Sequence, residues 1–400
     1  MKHKIALAAA YFFVTASPGF WMPVLSNVLE QQGWGEWIVL AFLIPPISSC
    51  LSPLVIAAQA DHRFRAEKII AVILFLGAIL HVLAFRELDR GANPVIFLLL
   101  FLMQCLVASP AFSLLNTVTF SHLDGRVEKF GILRVWGTVG WIVAGALVSL
   151  LGLDASGKVG YLSATANLIA LVCCFFLPPT PPTMTGPASL KDKLGLGAFG
   201  LLFNRNVGAV ILMSCLFMMP LTAFFMHTPL FLRELDVKTV AFTMSIGQFA
   251  EIFALAGLGW LISRFRFQTI FLIGLACGIL RFALFYVFTD SDHFAMIITG
   301  IALHGVCWTL YFEAARAYLD LRAPKGFRAQ AQALTSLGSS GVGSISGTLI
   351  VGTFYSQFVT TQGNWSLYWL ALALWCAGCC LFFFFMFQDQ ATSHRQTEAP

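Results

Sequence analysis

Residues 95–103 read Val-Ile-Phe-Leu-Leu-Leu-Phe-Leu-Met, and they lie within a mostly apolar stretch that runs from 94 to 121. A helix needs about 20 such residues to cross a hydrocarbon core of about 30 Å. Eleven further stretches of the chain share this apolar character and have a comparable length. We therefore predict twelve transmembrane helices with these bounds: 5–29, 36–60, 68–85, 94–121, 131–152, 158–177, 207–232, 239–262, 269–289, 294–319, 329–358 and 365–387.

The composition of the whole chain agrees with this prediction and excludes other classes of protein. Of the 400 residues, 58% are hydrophobic and 11% are charged, whereas about 25% of the residues in a soluble domain are charged. A soluble globular domain, a disordered chain and a nucleic-acid binder are excluded, because each needs more polar residues or a concentrated basic face. The sequence lacks the period-two alternation of a membrane β-barrel, so we expect an all-α protein embedded in the lipid bilayer.

No segment of the sequence predicts a metal site, a cofactor site or a catalytic motif. The ten cysteines all fall in apolar spans, so we expect no disulfides. Cys376, Cys379 and Cys380 lie close together, but their span offers no histidine or carboxylate as a further ligand. The sequence also contains no phosphate loop, HExxH motif or nucleophile elbow. We therefore expect no metal, no cofactor and no nucleotide-driven transport.

The distribution of Lys and Arg predicts the orientation of the chain. The first span continues past Phe20 to Leu29, so we interpret it as a retained helix and not as a cleaved signal peptide. If the N-terminus is cytoplasmic, sixteen Lys and Arg residues lie on the cytoplasmic side and five on the other side. Cytoplasmic turns carry the excess of positive charge in membrane proteins. We therefore expect a multi-pass protein of the bacterial inner membrane with both termini in the cytoplasm.

Internal repeats indicate that the spans form two pseudo-symmetric bundles of six helices each. The stretch 63–65, Arg-Phe-Arg, recurs at 264–266 with an offset of 201. The stretch 123–126, Leu-Asp-Gly-Arg, recurs as Leu-Asp-Leu-Arg at 319–322 with an offset of 196. A Pro-rich tract, which makes a stiff connection, separates the halves. The predicted units are an N-terminal bundle over 1–177, a cytoplasmic linker over 178–206, a C-terminal bundle over 207–387 and a cytoplasmic tail over 388–400.

Five charged residues lie inside the predicted spans and away from the terminal residues of those spans; near the centre of the bilayer a charge costs at least about 2.5–3.5 kcal/mol. They are Arg134, Glu251, Arg281, Glu313 and Arg316. A cost of this size predicts either a function or a partner for each charge. Glu313 and Arg316 are three residues apart and can pair with each other. A role in coupling and a purely structural ion pair are therefore both open for them.

Arg134, Thr138 and Trp141 have the i, i+4 and i+7 spacing that places three side chains on one face of a helix. They give that face a cation, a hydroxyl and an aromatic ring. The alternative is an arginine that extends from the end of its span to the membrane interface. Glu251 in the other half is the partner that we expect for Arg134 in a cavity.

Gln248 and Glu251 are three residues apart and point the same way from the middle of the eighth span. A carboxylate whose arginine partner approaches and departs can take up and release a proton, so we predict that Glu251 carries a proton. The alternative is a permanent ion pair that ties the halves together. In the tenth span, His304 and Trp308 lie one turn apart, and they are candidates either for a ligand site or for packing.

Several of these stretches resemble the nucleoside:proton symporter family of the major facilitator superfamily. The turn 57–63 is similar to the superfamily's Gly-x-x-x-Asp-Arg motif, with Ala57 in place of the glycine. The stretches 115–120, 133–140, 245–251 and 279–285 are similar to parts of the symporter family. The resemblance implies a substrate site between two six-helix bundles. It also implies a nucleoside site formed by Arg134, Thr138, Gln248 and Glu251, with Trp141 stacked on the ligand.

The chain departs from the family at four positions. Thr222 and Phe225 stand where the family has a ligand-binding Gln and Asn. His304 and Thr309 stand where the family has a Tyr and an Asp. The segment around Arg134 also resembles the lactose and phenylpropionate permeases, so sugars and aromatic carboxylates are alternative substrates. A membrane-embedded, lipid-linked transferase is an alternative of another class, although its catalytic groups would cluster at one membrane face.

We therefore expect a proton-coupled secondary transporter, and not an enzyme, that carries nucleosides or similar polar small molecules by alternating access. We expect it to act as a monomer without a nucleic-acid partner. The expected substrate-binding residues are Asn116, Arg134, Thr138, Trp141, Gln248, Glu251, His304 and Trp308. The expected proton-coupling residues are Glu251, Arg134, Arg281 and Glu313.

Overall fold

A computed structural model describes residues 2–62, 64–122, 128–181, 200, 202–291, 293–322, 332 and 334–388. These residues form helices joined by short turns, and no strand occurs among them. Within this part of the chain, eleven helices are long and apolar enough to cross a membrane, and a twelfth is shorter. In chain order they are α1 (His3–Gln31), α2 (Gly35–Ser52), α3 (Ala66–Arg90), α4 (Pro94–Phe120), α5 (Leu133–Leu150), α6 (Val159–Cys174), α7 (Arg205–Glu234), α8 (Val240–Arg264), α9 (Phe267–Thr289), α10 (Phe294–Arg322), α11 (Leu334–Thr360) and α12 (Trp365–Met386).

Each of these helices coincides with one predicted span, so the prediction of an all-α membrane fold is confirmed. Many large apolar side chains stay exposed on the outside of the helices, for example Phe253 at 76% and Leu374 at 62%. A bilayer would cover such a surface, which water would not tolerate at this density. Most of the predicted linker (182–199) and nearly all of the predicted tail (389–400) lie outside the described residues, as does the whole 123–126 copy of the second repeat.

Several helices change their geometry along their length. The helix α1 contains Pro18 and has a turn at 22–24, and α7 breaks shortly after Pro220. Proline causes such breaks because it lacks an N–H and clashes with the preceding turn. A π-helical turn, Thr309–Glu313, interrupts α10 directly after Trp308. Such wide turns occur often at functional sites.

The helices pack as two bundles. In the first bundle, α1 packs on α5 and α6, and α3 packs on α4 and α6. In the second, α9 packs on α10 and α12, α8 packs on α10, and α7 packs on α11 and α12. The bundles meet along α5 with α8 and along α2 with α11. These two pairs of helices form much of the interface between the bundles, and α1 also meets α7 there.

The two faces of the molecule can be told apart by their contacts. At one face, called here the termini face, the ends of α7 and α12 meet, and Arg205 donates from Nε to the carbonyl of Met386 at 3.1 Å. At the opposite or far face, the bundles are hydrogen-bonded to each other, because Arg233 donates from Nη1 to the carbonyl of Asn27 at 3.1 Å.

Close packing of α5 on α8 brings the bundles together near the far face. A Cβ atom added to Gly145 would lie 2.9 Å from the carbonyl oxygen of Ala241. Only glycine fits such a short distance without a shift of one helix. The described structure is therefore closed at the far face.

Candidate functional site

A cavity of about 220 Å³ lies between the two bundles. It is called here the central cavity. The first bundle contributes Thr15, Phe112, Arg134, Gly137, Thr138 and Trp141 to its lining, and the second contributes Phe225, Gln248, Glu251, His304 and Trp308. Seven of the eight predicted substrate-binding residues thus line one space, which sequence spacing alone does not guarantee for residues on three helices.

The first wall is the face of α5 that carries Arg134, Thr138 and Trp141. The guanidinium carbon of Arg134 lies 5.7 Å from the centroid of the Phe112 ring, which is a cation–π contact. Thr15 fixes α1 against this wall, because its Oγ1 lies 2.6 Å from the carbonyl oxygen of Gly137. The wall therefore presents a cation, a hydroxyl and an indole from a backbone that is held in place.

The second wall is formed by α7, α8 and α10. Phe225 faces Trp141 across the bundle interface, with ring centroids 5.7 Å apart and planes at 55°. Gln248 and Glu251 share one face of α8, as their spacing predicts. The Oε1 atom of Gln248 is buried and has no hydrogen-bond partner among the described residues. A buried amide oxygen without a partner is costly, so Gln248 gains a hydrogen bond if its side chain turns toward a ligand in the cavity.

Arg134 and Glu251 lie on opposite walls of the central cavity. Among the described residues, Arg134 and Glu251 form no ion pair. Each nitrogen of the Arg134 guanidinium is therefore more than 4.0 Å from the carboxylate oxygens of Glu251. The permanent ion pair, which was the alternative interpretation of Glu251, is therefore not formed in this conformation, and the expected partner of Arg134 lies across the cavity from it. The space between the two charges remains open to a ligand, and both charges can contact one that enters.

His304 is held from two sides. The Phe224 ring stacks on it in parallel, with centroids 3.7 Å apart and planes at 9°. Arg281, on α9, places Nη1 at 2.7 Å from Nδ1 of His304. Arg281 itself is fully buried and does not line the cavity. The sequence predicted that Arg281 needs a partner, and the structure shows that this partner is His304.

Besides Arg281, two predicted residues lie outside the central cavity. Asn116 does not line it, and its Oδ1 accepts a hydrogen bond from the Tyr11 hydroxyl at 2.7 Å. Glu313 pairs with Arg316 at 2.6 Å and is also absent from the lining. Asn116 lies one helical turn beyond Phe112, so it supports the wall without forming its surface.

A second cavity, of about 300 Å³, adjoins the first. The two share Phe225, His304 and Trp308. Thr222 lines the second cavity, together with mainly apolar side chains such as Trp21 and Phe42. Two of the four positions that depart from the symporter family, Phe225 and His304, thus form part of the partition between the cavities.

Neither Thr15 nor Phe112 is marked as a cavity residue by its sequence context. Phe112 is one of 39 phenylalanines, and nothing in its local pattern distinguishes a cavity wall from a lipid-facing position. Thr15 is a polar residue inside an apolar span, which is a weak signal because its hydroxyl can bond to its own helix. Both residues become recognisable only once α1 and α4 are placed beside α5.

Two six-helix bundles with a cavity at their interface have the architecture of the major facilitator fold. The chain belongs to the nucleoside H⁺ symporter family, whose model matches residues 1–392.

Similar proteins cover nearly the whole chain. YegT of Escherichia coli strain K12 is 32% identical over 408 aligned positions, which cover 97% of this chain and 95% of YegT. The xanthosine permease of the same strain is 26% identical, over 90% of this chain and 94% of the permease. A crystal structure of the nucleoside transporter NupG matches with a TM-score of 0.84 at 24% identity, over 96% of this chain and 100% of that one.

Proposed function

We propose that this protein is a proton-coupled symporter that carries nucleosides across the bacterial inner membrane by alternating access. The observation that carries the proposal is one cavity with walls from both bundles, with Arg134 on one wall and Glu251 on the other. Membership of the nucleoside H⁺ symporter family supports proton coupling. The names of the xanthosine permease and of NupG support nucleosides as substrates.

The lining of the central cavity suits the two chemically different parts of a nucleoside. Trp141, Phe225 and Trp308 supply aromatic surface for a flat base, and an aromatic pair contributes about 0.5–1.5 kcal/mol beyond its buried area. Arg134, Thr138 and Gln248 supply donors and acceptors for ribose hydroxyls and base carbonyls. A purely apolar solute would leave these polar groups without partners, which disfavours its binding.

Glu251 is the proton carrier that we propose. A carboxylate inside a membrane is costly when it is charged. Arg134 on the opposite wall of the cavity is a cation that can offset this cost. Protonation removes the charge of Glu251 and with it the attraction to Arg134. A carrier with a neutral Glu251 and a bound substrate can then change conformation without breaking an attraction between opposite charges on the two bundles.

The closed far face indicates how this conformation fits the transport cycle. Contacts between the bundles at that face close the cavity on one side of the membrane. The excess of Lys and Arg in the turns of the other side supports a cytoplasmic termini face. Both walls of the central cavity are supplied by the two bundles of one chain, which supports a monomer as the transporting unit.

Transport by purified protein in proteoliposomes tests the proposal. Wild type should accumulate a radiolabelled nucleoside only when a proton gradient is imposed, while sugars and aromatic carboxylates should not accumulate. Glu251→Gln should lose gradient-driven accumulation and keep nucleoside exchange, because the amide preserves shape but binds no proton. Full accumulation by this variant would disprove the role of Glu251, and accumulation of a sugar instead of nucleosides would disprove the substrate.

Two further variants act as controls. Glu36→Gln makes the same chemical change at an exposed position in the first turn of α2, so it should leave accumulation unchanged. Glu313→Gln breaks the pair with Arg316. Loss of accumulation with retained exchange in this variant would place Glu313 in proton coupling as well, whereas unchanged accumulation would assign it a structural role.

A further inference from the structure

A fully buried cation supports His304 from behind the wall of the central cavity. Nη1 of Arg281 lies 2.7 Å from Nδ1 of His304. The rings of Phe224 and Phe282 flank the guanidinium, with their centroids 4.9 Å and 4.6 Å from its central carbon. The other two nitrogens of the guanidinium, Nε and Nη2, have no hydrogen-bond partner among the described residues. His304 is thus the polar group toward which this cation is directed.

The contact determines the protonation of His304. A guanidinium has only donors and no acceptor. Nδ1 of His304 must therefore present its lone pair to Arg281, which leaves the ring proton on Nε2. A doubly protonated imidazolium would place an N–H against the N–H of Arg281, and two cations would share one buried site. His304 is thus neutral, in the tautomer that carries hydrogen on Nε2.

The protonated nitrogen is open to the cavity. His304 lines the central cavity and the adjoining one. Its Nε2 has no hydrogen-bond partner among the described residues. Because Nε2 is also absent from the set of fully enclosed polar atoms without a partner, it must be accessible from the cavity. The parallel Phe224 ring keeps the imidazole plane from rotating. The Nε2–H group is therefore a fixed donor that is available to a ligand.

We propose that Arg281 is a positioning residue that holds His304 in its Nε2–H tautomer and thereby makes His304 an obligatory hydrogen-bond donor to the transported molecule. This inference rests on the proposed transport function. It requires the substrate to present an acceptor at this wall, such as a base carbonyl or an unprotonated ring nitrogen. It also separates the two titratable groups of the cavity, because His304 donates a hydrogen bond while Glu251 carries the proton.

Nitrogen NMR of the reconstituted protein tests the tautomer without any transport. The protein is labelled with ¹⁵N-histidine, and the His304 signal is identified by its absence in His304→Gln. Wild type should show a neutral ring with a protonated Nε2. Arg281→Met should yield a mixture of tautomers, whereas Arg281→Lys, which keeps a donor, should retain the original one. A protonated Nδ1 in wild type would overturn the proposal.

Two substitutions of His304 test the donor by substrate binding. Glutamine places its amide NH₂ near the position of Nε2, and asparagine places its amide near Nδ1. With a radiolabelled nucleoside panel that includes xanthosine and uridine, His304→Gln should bind within about threefold of wild type. His304→Asn should bind about three- to tenfold more weakly, as expected for one lost hydrogen bond.

The outcomes separate this inference from the proposed function. If wild type transports nucleosides and His304→Asn binds them as well as His304→Gln does, the donor role is wrong and the transport function stands. If wild type transports no nucleoside but the NMR signal shows the Nε2–H tautomer, the transport function is wrong and the positioning role of Arg281 stands.

Discussion

Asp154 connects the two bundles at the far face, and its removal should open that face. Asp154 lies in the turn between α5 and α6, and its Oδ1 accepts a hydrogen bond from the backbone N–H of Ala241 at 2.7 Å. Ser149 donates to the same oxygen at 2.8 Å and accepts from the N–H of Phe242 at 3.0 Å. Thr239, which directly precedes α8, makes no side-chain cap of its own. Residues of the first bundle thus cap a helix of the second.

The size of the effect follows from the energetics of helix caps. The first N–H groups of a helix have no partner within the helix, and Ala241 and Phe242 are the second and third residues of α8. Replacing a capping Asp with Ala costs about 0.5–2 kcal/mol. Since this cap crosses between the bundles, the full cost falls on the closed conformation. We expect Asp154→Ala to shift the closed-to-open ratio by about 2- to 30-fold.

Spin labels on the two bundles measure this ratio directly. Lys158 and Lys238 are exposed residues at the far face, one in each bundle, and cysteines at these positions can be labelled in a background without the ten native cysteines. Pulsed dipolar spectroscopy should show a longer-distance population that increases in Asp154→Ala. Asp154→Asn should stay close to the parent, because asparagine caps as well as aspartate. An unchanged distance distribution in Asp154→Ala would refute the reasoning.

Two more predictions use the same labels. Burial raises the pKa of Asp154 above its ordinary value of 3.8, because desolvation outweighs its hydrogen bonds to Ala241 and Ser149. In the closed state the pKa of Asp154 is raised, whereas in an open state with a solvated carboxyl it is close to 3.8. The closed state therefore binds the proton more tightly, and lowering the pH from above the raised pKa towards 3.8 should favour closure. Asp154→Asn should remove this pH dependence, and its persistence in that variant would assign it to another group. Gly145→Val should favour the open far face, since its Cβ would meet the carbonyl of Ala241 at 2.9 Å, whereas Gly257→Val, with no neighbour within 4 Å, should not.

The fold was predictable because a membrane span is a local property of the sequence. Twenty apolar residues identify a span wherever the chain later places it, and all twelve spans were found in this way. The π-helical turn at Thr309–Glu313 was not predicted. Its hydrogen bonds depend on how α10 packs on α8 and α9, and no local residue pattern specifies them.

The candidate site was predictable where helix periodicity alone decides the geometry. Arg134, Thr138 and Trp141 lie on one wall because a regular helix places i, i+4 and i+7 together. Pairings between helices were not predictable from spacing. Asn116 is bonded to Tyr11 and Arg281 to His304, and each partner comes from another helix. Asp154 gave no signal at all, since an acid in a polar turn resembles any surface residue.

The helices α5 and α8 link the far-face closure to the proposed proton site. Near the far face, Gly145 of α5 packs against Ala241 of α8, and in the central cavity the same two helices carry Arg134 and Glu251. Ala241 and Glu251 are ten residues apart on one helix without proline, which corresponds to about 15 Å. A rigid rotation of the bundles that separates α5 from α8 at the far face must also change the distance between Arg134 and Glu251. If Glu251 carries the proton as we propose, its protonation and the cap at Asp154 act on the same motion from two points along one helix.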